Sequence, residues 1–363
     1  MEDNCDDRVK LPKNRNGCVK MNQNDREKIA ERSWTVGMFK PEDAPGVVDL
    51  YRAIYGENFP KQEVYRAEWH LEQARTHDTY RIVARTKEGI IIATGAIYRS
   101  SPANPELYEG GGIMALPEYG KQNVALEVAQ FTLKKLPLLF NIRQMWGECV
   151  CNHLFTQMYF VKDGGVACAL EVDLLPDGSF KSQSERGLDL EGRVSALVII
   201  RTYHPTRQTS YLPPIYREVL SKIYEPLQME RTFEDHQEEP AAKETSAFID
   251  IKETAGLSRI TVWQIGMDFS GWLRQVEQEA KKAGIILFQV IIPLNTPVAG
   301  KAAEYLKNEG YWLGGIMPGW FGADGLLMQK TLHEPDFSQI KVYSKPGKAI
   351  LEMVKSDYLQ RAK

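Results

Sequence analysis

Hydrophobic and polar positions repeat along this chain with two periods, and the switches between them mark out its elements. Apolar residues at alternate positions in "WTVGMF", "TYRIVART" and "IIIATGAIYRS" predict strands, the last two forming a hairpin across "KEG". In "KPEDAPGVVDLYRAIYG" the residues Val47, Leu50, Tyr51 and Ile54 share one helical face behind a turn. A more polar helical stretch covers Val64 to Ala74. Val124, Val128 and Phe131 then recur at i, i+4 and i+7, with Pro137 expected to close that helix. "QMWGECVC" predicts a strand and "NHLFTQMYFVKDGG" a helix with the pairs Leu154/Met158 and Phe155/Tyr159, ended by glycine. "VACALEVDLLPDG" and "RVSALVIIRTYH" predict two further strands. The order β, α, α, β, β, β, α, β, α, β, β describes a mixed α/β domain over residues 33–205.

Beyond it, residues 206–243 predict a helical linker arm, with a helix in "LPPIYREVLSKIYEPL" and a polar, acidic boundary in "TFEDHQEEPAAKE". Residues 244–333 restart the pattern with strands at "AFIDIKE" and "RITVWQIG", the helix "FSGWLRQVEQEAKKAG", and "IILFQVII", a run suited to a strand buried on both faces. The next helix is expected to use Asn295 or Thr296 as N-cap, Pro297 as first helical residue and Gly310 as C-cap. "YWLGGIM" and "GLLMQK" are strands. The loop "PGWFGADG" between them is expected to turn a hairpin around Trp320 and Phe321, and the tail 334–363 carries a short helix. Residues 1–32 have no sustained period and read as a flexible leader. The runs Trp146 to Pro176 and Ile285 to Lys330 share one sequence of strand, Asn, helix, Gly and paired strands, which points to an internal repeat.

Composition narrows the function classes. A chain of 363 residues exceeds the usual span of one core, and 43% hydrophobic with 26% charged residues is the balance of a globular protein. A formal charge of -3 gives no footprint for nucleic acid or an anionic membrane. No apolar window reaches the roughly 20 residues that span a bilayer, and no signal-peptide core is present, so a cytoplasmic location is expected. Five cysteines form no disulfide framework. Cys149, Cys151 and His153 alternate, but same-face neighbours in a strand lie about 7 Å apart, so no metal site is expected there. The oligomeric state is left open.

The stretch "ALPEYGKQNVAL" carries a resemblance. It resembles the phosphate-binding turn of the GNAT superfamily of acyl-CoA N-acyltransferases: a strand ending in a Val-x-Pro-like turn, then (Gln/Arg)-x-x-Gly-x-(Gly/Ala) and a helix. Asn152, Tyr159 and Gly164 are similar to the family's second signature, an Asn followed by a helix with a Tyr and then a Gly. The resemblance covers residues 33–205 and, more loosely, the second half. It departs at Gly120, where the family has Gln or Arg, and at Asn123, which replaces the central Gly; asparagine tolerates left-handed backbone, so the turn can survive.

What the resemblance implies is a central mixed sheet flanked by helices, duplicated, and acetyl transfer from acetyl-CoA to a small-molecule or peptide amine. The implied cofactor-binding residues are Met114, Ala115 and Leu116 at the strand end, Gly120, Lys121, Gln122, Asn123, Val124 and Ala125 in the turn, and Asn152. The turn's amides and the helix dipole would face the pyrophosphate. Tyr159 is the implied acid for the leaving thiolate, and serves equally as a core aromatic beside Phe155. Glu109, just ahead of the splayed strand, is the candidate base, with His153 second. Trp263, Trp272, Trp312 and Trp320 are candidates for an acceptor pocket and also for core. The second half has no glycine-rich turn and is expected to lack a cofactor site. A non-catalytic ligand-sensing or protein-interaction scaffold is the alternative function.

Overall fold

The alternating and helical periods fold as the sequence predicts through the first half. The computed structural model describes residues 33–57, 59, 61–176 and 192–361, so the expected leader at 1–32 lies outside the described residues. The first half runs β1 (Trp34–Met38), α1 (Ala44–Tyr55), α2 (Ala67–Arg75), β2 (Thr79–Thr86), β3 (Ile91–Arg99), β4 (Leu107–Ala115), α3 (Val124–Gln130), β5 (Gln144–Val150), α4 (Phe155–Lys162), β6 (Val166–Pro176) and β7 (Arg193–Thr202). Val47, Leu50, Tyr51 and Ile54 of α1 are all buried, because their spacing keeps one stripe of the helix against the sheet.

Pro137 does not close α3. A π turn, Phe131–Lys135, follows directly and leads into a helical turn, Leu136–Leu139, that contains the proline. The ring of a helical proline crowds the carbonyl four residues back and offers it no N–H, and the wider turn accommodates both effects.

The arm contains β8 (Gln208–Tyr211), α5 (Arg217–Tyr224) and β9 (Arg231–Glu234). The sequence pattern predicts only the helix. β8 and β9 pair in parallel as a separate two-stranded sheet, too short to register as a period. This stretch is bonded to the second half: the Tyr211 amide donates to Leu294 O at 2.7 Å, and buried Arg231 pairs with Asp324 at 2.6 Å.

The second half runs β10 (Ser246–Lys252), β11 (Leu257–Gln264), α6 (Phe269–Lys282), β12 (Leu287–Pro293), α7 (Ala299–Asn308), β13 (Trp312–Met317), β14 (Gly325–Thr331) and α8 (Lys345–Leu359). Every residue of β12 is buried, as its unbroken apolar run requires. Helix α7 starts at Ala299 behind Val298, later than the Asn295 or Thr296 cap implied. Pro297 lies instead in the preceding turn, where the Ala299 amide donates to Thr296 O.

Twelve strands form one mixed sheet in the order β1-β2-β3-β4-β5-β7-β6-β13-β14-β12-β11-β10. Among the described residues its parallel neighbours are β4 with β5 and β11 with β12, each joined by a crossover helix. The blocks β4-β5-β7-β6 and β11-β12-β14-β13 therefore use one connection twice and meet through corresponding strands, β6 and β13.

That seam is narrow. A single register pair joins it, Gly315 with Ala169, and a Cβ on Gly315 (φ 133°) would lie 2.5 Å from Ala169 Cα. Beside it the Gln329 side chain stands in for a peptide group, accepting from the Val172 amide and donating to Leu170 O, both at 2.9 Å. Helix α8 packs across both strands and buries Ile350 and Val354.

Candidate functional site

The site begins where two parallel strands part. β4 and β5 pair from Leu107 with Gln144 to Glu109 with Trp146, yet β4 runs on to Ala115 and β5 to Val150, so a wedge opens beyond Glu109. A bulge drives β4 aside: its register with β3 shifts between Thr94 and Ala96, opposite Gly112 at φ 60°. Glycine is also needed at the apex, because a Cβ on Gly147 would sit 2.7 Å from the Phe160 ring and 3.0 Å from Gly110 O.

Past the wedge the chain passes Leu116, a 3-10 segment Pro117–Gln122 and Asn123, which adopts the left-handed conformation (φ 62°, ψ 11°) before α3. The backbone takes the form in which asparagine substitutes for glycine at least cost. The Asn123 side chain makes no capping hydrogen bond to the first turn of α3, where the Glu127 amide donates to Asn123 O at 3.0 Å. Gly120, Gln122 and Asn123 are exposed, Ala125 is half-buried and Val124 is core; Lys121 falls within the 3-10 segment. Of the three strand-end amides, that of Leu116 is already spent on Ile92 O at 2.9 Å. Antiparallel pairing alternates donor direction, so Met114 faces β3 with it and the Ala115 N–H faces the wedge.

Glu109 lies within β4 rather than in a loop ahead of it. Its carboxylate accepts from Tyr98 Oη at 2.6 Å. The residue keeps some solvent contact, as expected at the floor of a recess. Burial and then the charge of Glu148 push its carboxyl up to about 7, against the pull of Tyr98, Ser100 and Lys252. Glu148 stands two residues beyond Trp146 on β5, on the face of Glu109. Arg259, from β11 of the second half, forms an ion pair with Glu148 at 2.9 Å and donates to Glu171 of β6 at 2.6 Å. It also donates to Gln289 Oε1 at 2.6 Å, and Gln289 in turn donates to Glu171 at 3.1 Å. Burial raises Glu148, but Arg259 and Lys252 outweigh it and hold the group below its ordinary value. Glu171, fully buried, is pushed up to about 8 by burial despite Arg259. Burial also lowers Lys61, whose ammonium lies 4.8 Å over the Trp69 ring and feels Glu63, Glu109, Lys252 and Asp250.

Tyr159 is half-buried on α4, next to Phe160, whose ring fills the wedge apex. Asn152 is buried in the turn before α4 and is not its N-cap, a place taken by Leu154. His153 accepts from the Phe155 amide through Nδ1 at 3.3 Å, a helix-start contact that engages the candidate second base. Cys149 and Cys151 are buried, and burial pushes the Cys151 thiol up to about 12.

The tryptophans divide. Trp312 and Trp320 are core, Trp272 is half-buried and Trp263 is 50% exposed. Trp320 does more than turn a hairpin. It packs edge-to-face on Trp146 at 5.2 Å and donates from Nε1 to Thr261 Oγ1 at 3.1 Å, while its carbonyl accepts from Ser101.

Sequence reasoning missed Glu148, Glu171 and Arg259. The available signal was a charged residue inside an otherwise apolar strand, in "QMWGECVC", "VACALEVDLL" and "RITVWQIG", because such a residue is buried only with a partner. In the second half, Asp268 precedes α6 and accepts from the Thr245 amide and hydroxyl, placing a carboxylate at that helix start. Among the described residues no helix is long and apolar enough to cross a membrane.

No family model matches the chain, and no curated protein matches it. Among solved structures, an N-acetyltransferase from Staphylococcus aureus Mu50 aligns over 47% of this chain and 99% of its own, with 10% identity and a TM-score of 0.37. The ribosomal-protein-S5-alanine acetyltransferase from Vibrio fischeri aligns over 47% and 93%, with 13% identity and a TM-score of 0.36. The ribosomal-protein-S18-alanine N-acetyltransferase from Escherichia coli aligns over 48% and 96%, with 12% identity and a TM-score of 0.36. At these scores the likeness extends over about half of the chain and adds nothing about its chemistry.

Proposed function

We propose that the chain is an N-acetyltransferase that moves an acetyl group from acetyl-CoA directly to an amine at the wedge between β4 and β5. One observation carries the reading: strand pairing ends at Glu109, so the residue at the wedge's apex also presents a carboxyl with a near-neutral pKa. The residues fit the cosubstrate. The first amides of α3, which the Asn123 side chain does not cap, suit a pyrophosphate, and the Ala115 N–H suits the pantetheine chain within the wedge. Bound acetyl-CoA supplies an activated thioester.

The remaining work falls to side chains. An acceptor amine is protonated near pH 7 and must lose a proton before it attacks, and Glu109 is placed to take it. Tyr159 on α4 is assigned to return a proton to the leaving sulfur. We place the cofactor-binding unit at 33–205 and a second unit, without a cofactor turn, at 244–333; Asp268 supports the latter, since its charge opposes a phosphate at α6. Buried thiols at Cys149, Cys151 and Cys168 support a reducing compartment, the cytoplasm.

The test is thermal unfolding with CoA and acetyl-CoA, followed by thiol release across a panel of amines. Ligand at 100 times its dissociation constant stabilises the fold by about 2.7 kcal/mol. No shift at millimolar CoA removes the enzymatic reading and leaves the scaffold one.

A further inference from the structure

We infer that Arg259, a residue of the second half, positions the acid chemistry of the first by clamping Glu148 and Glu171 in one arrangement beside Glu109. The inference deepens the proposed function and rests on it for the meaning of Glu109, though the clamp itself is a matter of geometry. One guanidinium reaches strands β5 and β6 at 2.9 and 2.6 Å, both through Nη2, and Gln289 of β12 at 2.6 Å through Nε, so one nitrogen bridges the two carboxyls while a second is tied to β12. Three carboxyls face this recess. Two like charges this close do not both ionise freely, and the cation decides which does.

Against burial, Arg259 holds the Glu148 carboxyl below its ordinary value, while burial pushes Glu171 up despite the same cation. Burial first, and then the charge of Glu148, oppose a negative charge at Glu109 and leave it able to exchange a proton near neutrality. The other groups facing Glu109 are Tyr98 of β3, Ser100 just after it, Lys252 of β10 and, more distantly, Lys61 and Arg259 itself. A first half without β11 would hold Glu109 but not the charge pattern around it.

The experiment is a carboxyl titration of the full chain labelled with ¹³C at glutamate Cδ, with Glu109→Gln assigning the Glu109 signal. It needs neither acetyl-CoA nor an acceptor, so its outcome is independent of the proposed activity. Glu148→Gln removes the opposing charge while keeping shape, and the Glu109 midpoint is expected to fall by about one pH unit or more. Arg259→Gln is expected to lift the Glu148 midpoint above the ordinary carboxylate range; if that variant does not fold, Glu148→Gln alone decides. A Glu109 midpoint unmoved in Glu148→Gln, or a Glu148 midpoint still depressed in a folded Arg259→Gln chain, overturns the inference. If the titrations behave as expected but CoA produces no thermal shift, the clamp stands and the acetyltransferase reading fails.

Discussion

Trp320 is a buried tryptophan shared between the halves, and its removal tests whether they fold as one body. The residue belongs to the β13–β14 loop, yet it rests on Trp146 of β5 and donates to Thr261 of β11. It is 1% exposed. Truncating a buried tryptophan to alanine costs about 3–5 kcal/mol, within which the edge-to-face contact accounts for about 0.5–1.5 kcal/mol. Trp320→Phe keeps a ring against Trp146 and loses the hydrogen bond, leaving a buried Thr261 hydroxyl; it should cost about 1–2 kcal/mol. The assay is urea unfolding followed by far-ultraviolet circular dichroism and by tryptophan fluorescence. If the two halves are one cooperative unit, the probes coincide in the parent chain and Trp320→Ala shifts the midpoint of the whole transition. A loss below 1 kcal/mol for Trp320→Ala, or a transition that moves for one half only, would refute the claim that this ring couples them.

Four further outcomes are expected. Stability supplied by the neutral form of Glu109 is fully present below pH 4.5 and is lost as pH rises through about 7, because the unfolded chain releases that proton first. Glu109→Gln should therefore flatten the fall in unfolding free energy over this window by roughly 2 kcal/mol, after allowance for residual solvent contact; an unchanged slope contradicts the assigned burial. Asn123→Gly should bind CoA at least as tightly as the parent, since φ is 62°, whereas Asn123→Val should cost about 1 kcal/mol or more in stability and weaken the CoA-induced shift. Gly147→Ala should destabilise by about 1–3 kcal/mol through overlap with Phe160, read by urea midpoint. Tyr159→Phe should retain CoA binding and lower turnover at least tenfold, and equal turnover would take the acid role from Tyr159.

Much of the first half was legible because its elements are long and periodic. β2, β3 and α1 each bury one regular set of side chains, and that regularity is what a period detects. The left-handed turn at Asn123 was readable for another reason: few residues tolerate positive φ, so the residue type carries the conformation. Short or irregular pieces were not readable. β8 and β9 have four residues each and are held by pairing partners more than 20 residues apart, which leaves no local signal. The π turn before Pro137 depends on the balance of two helix registers, and sequence shows only the proline. The recess was half legible. Glu109 was found through its position next to a splayed strand, but its near-neutral carboxyl also depends on Glu148 of β5 and on Lys252 of β10, which only the completed fold brings near it. Arg259 shows the same limit: its charge is visible in the sequence, and its partners are fixed only by the completed sheet.

The narrow junction at Gly315 and Ala169 has a consequence for anyone who dissects this chain. Because β13 meets β6 at Gly315 and Gln329 bonds its backbone beside that point, excising residues up to 205 would uncover the β6 margin, most of whose residues are buried. Such a fragment would satisfy that margin with a sister copy of itself, trading an intramolecular neighbour for an intermolecular one, and would be recovered as dimers or precipitate.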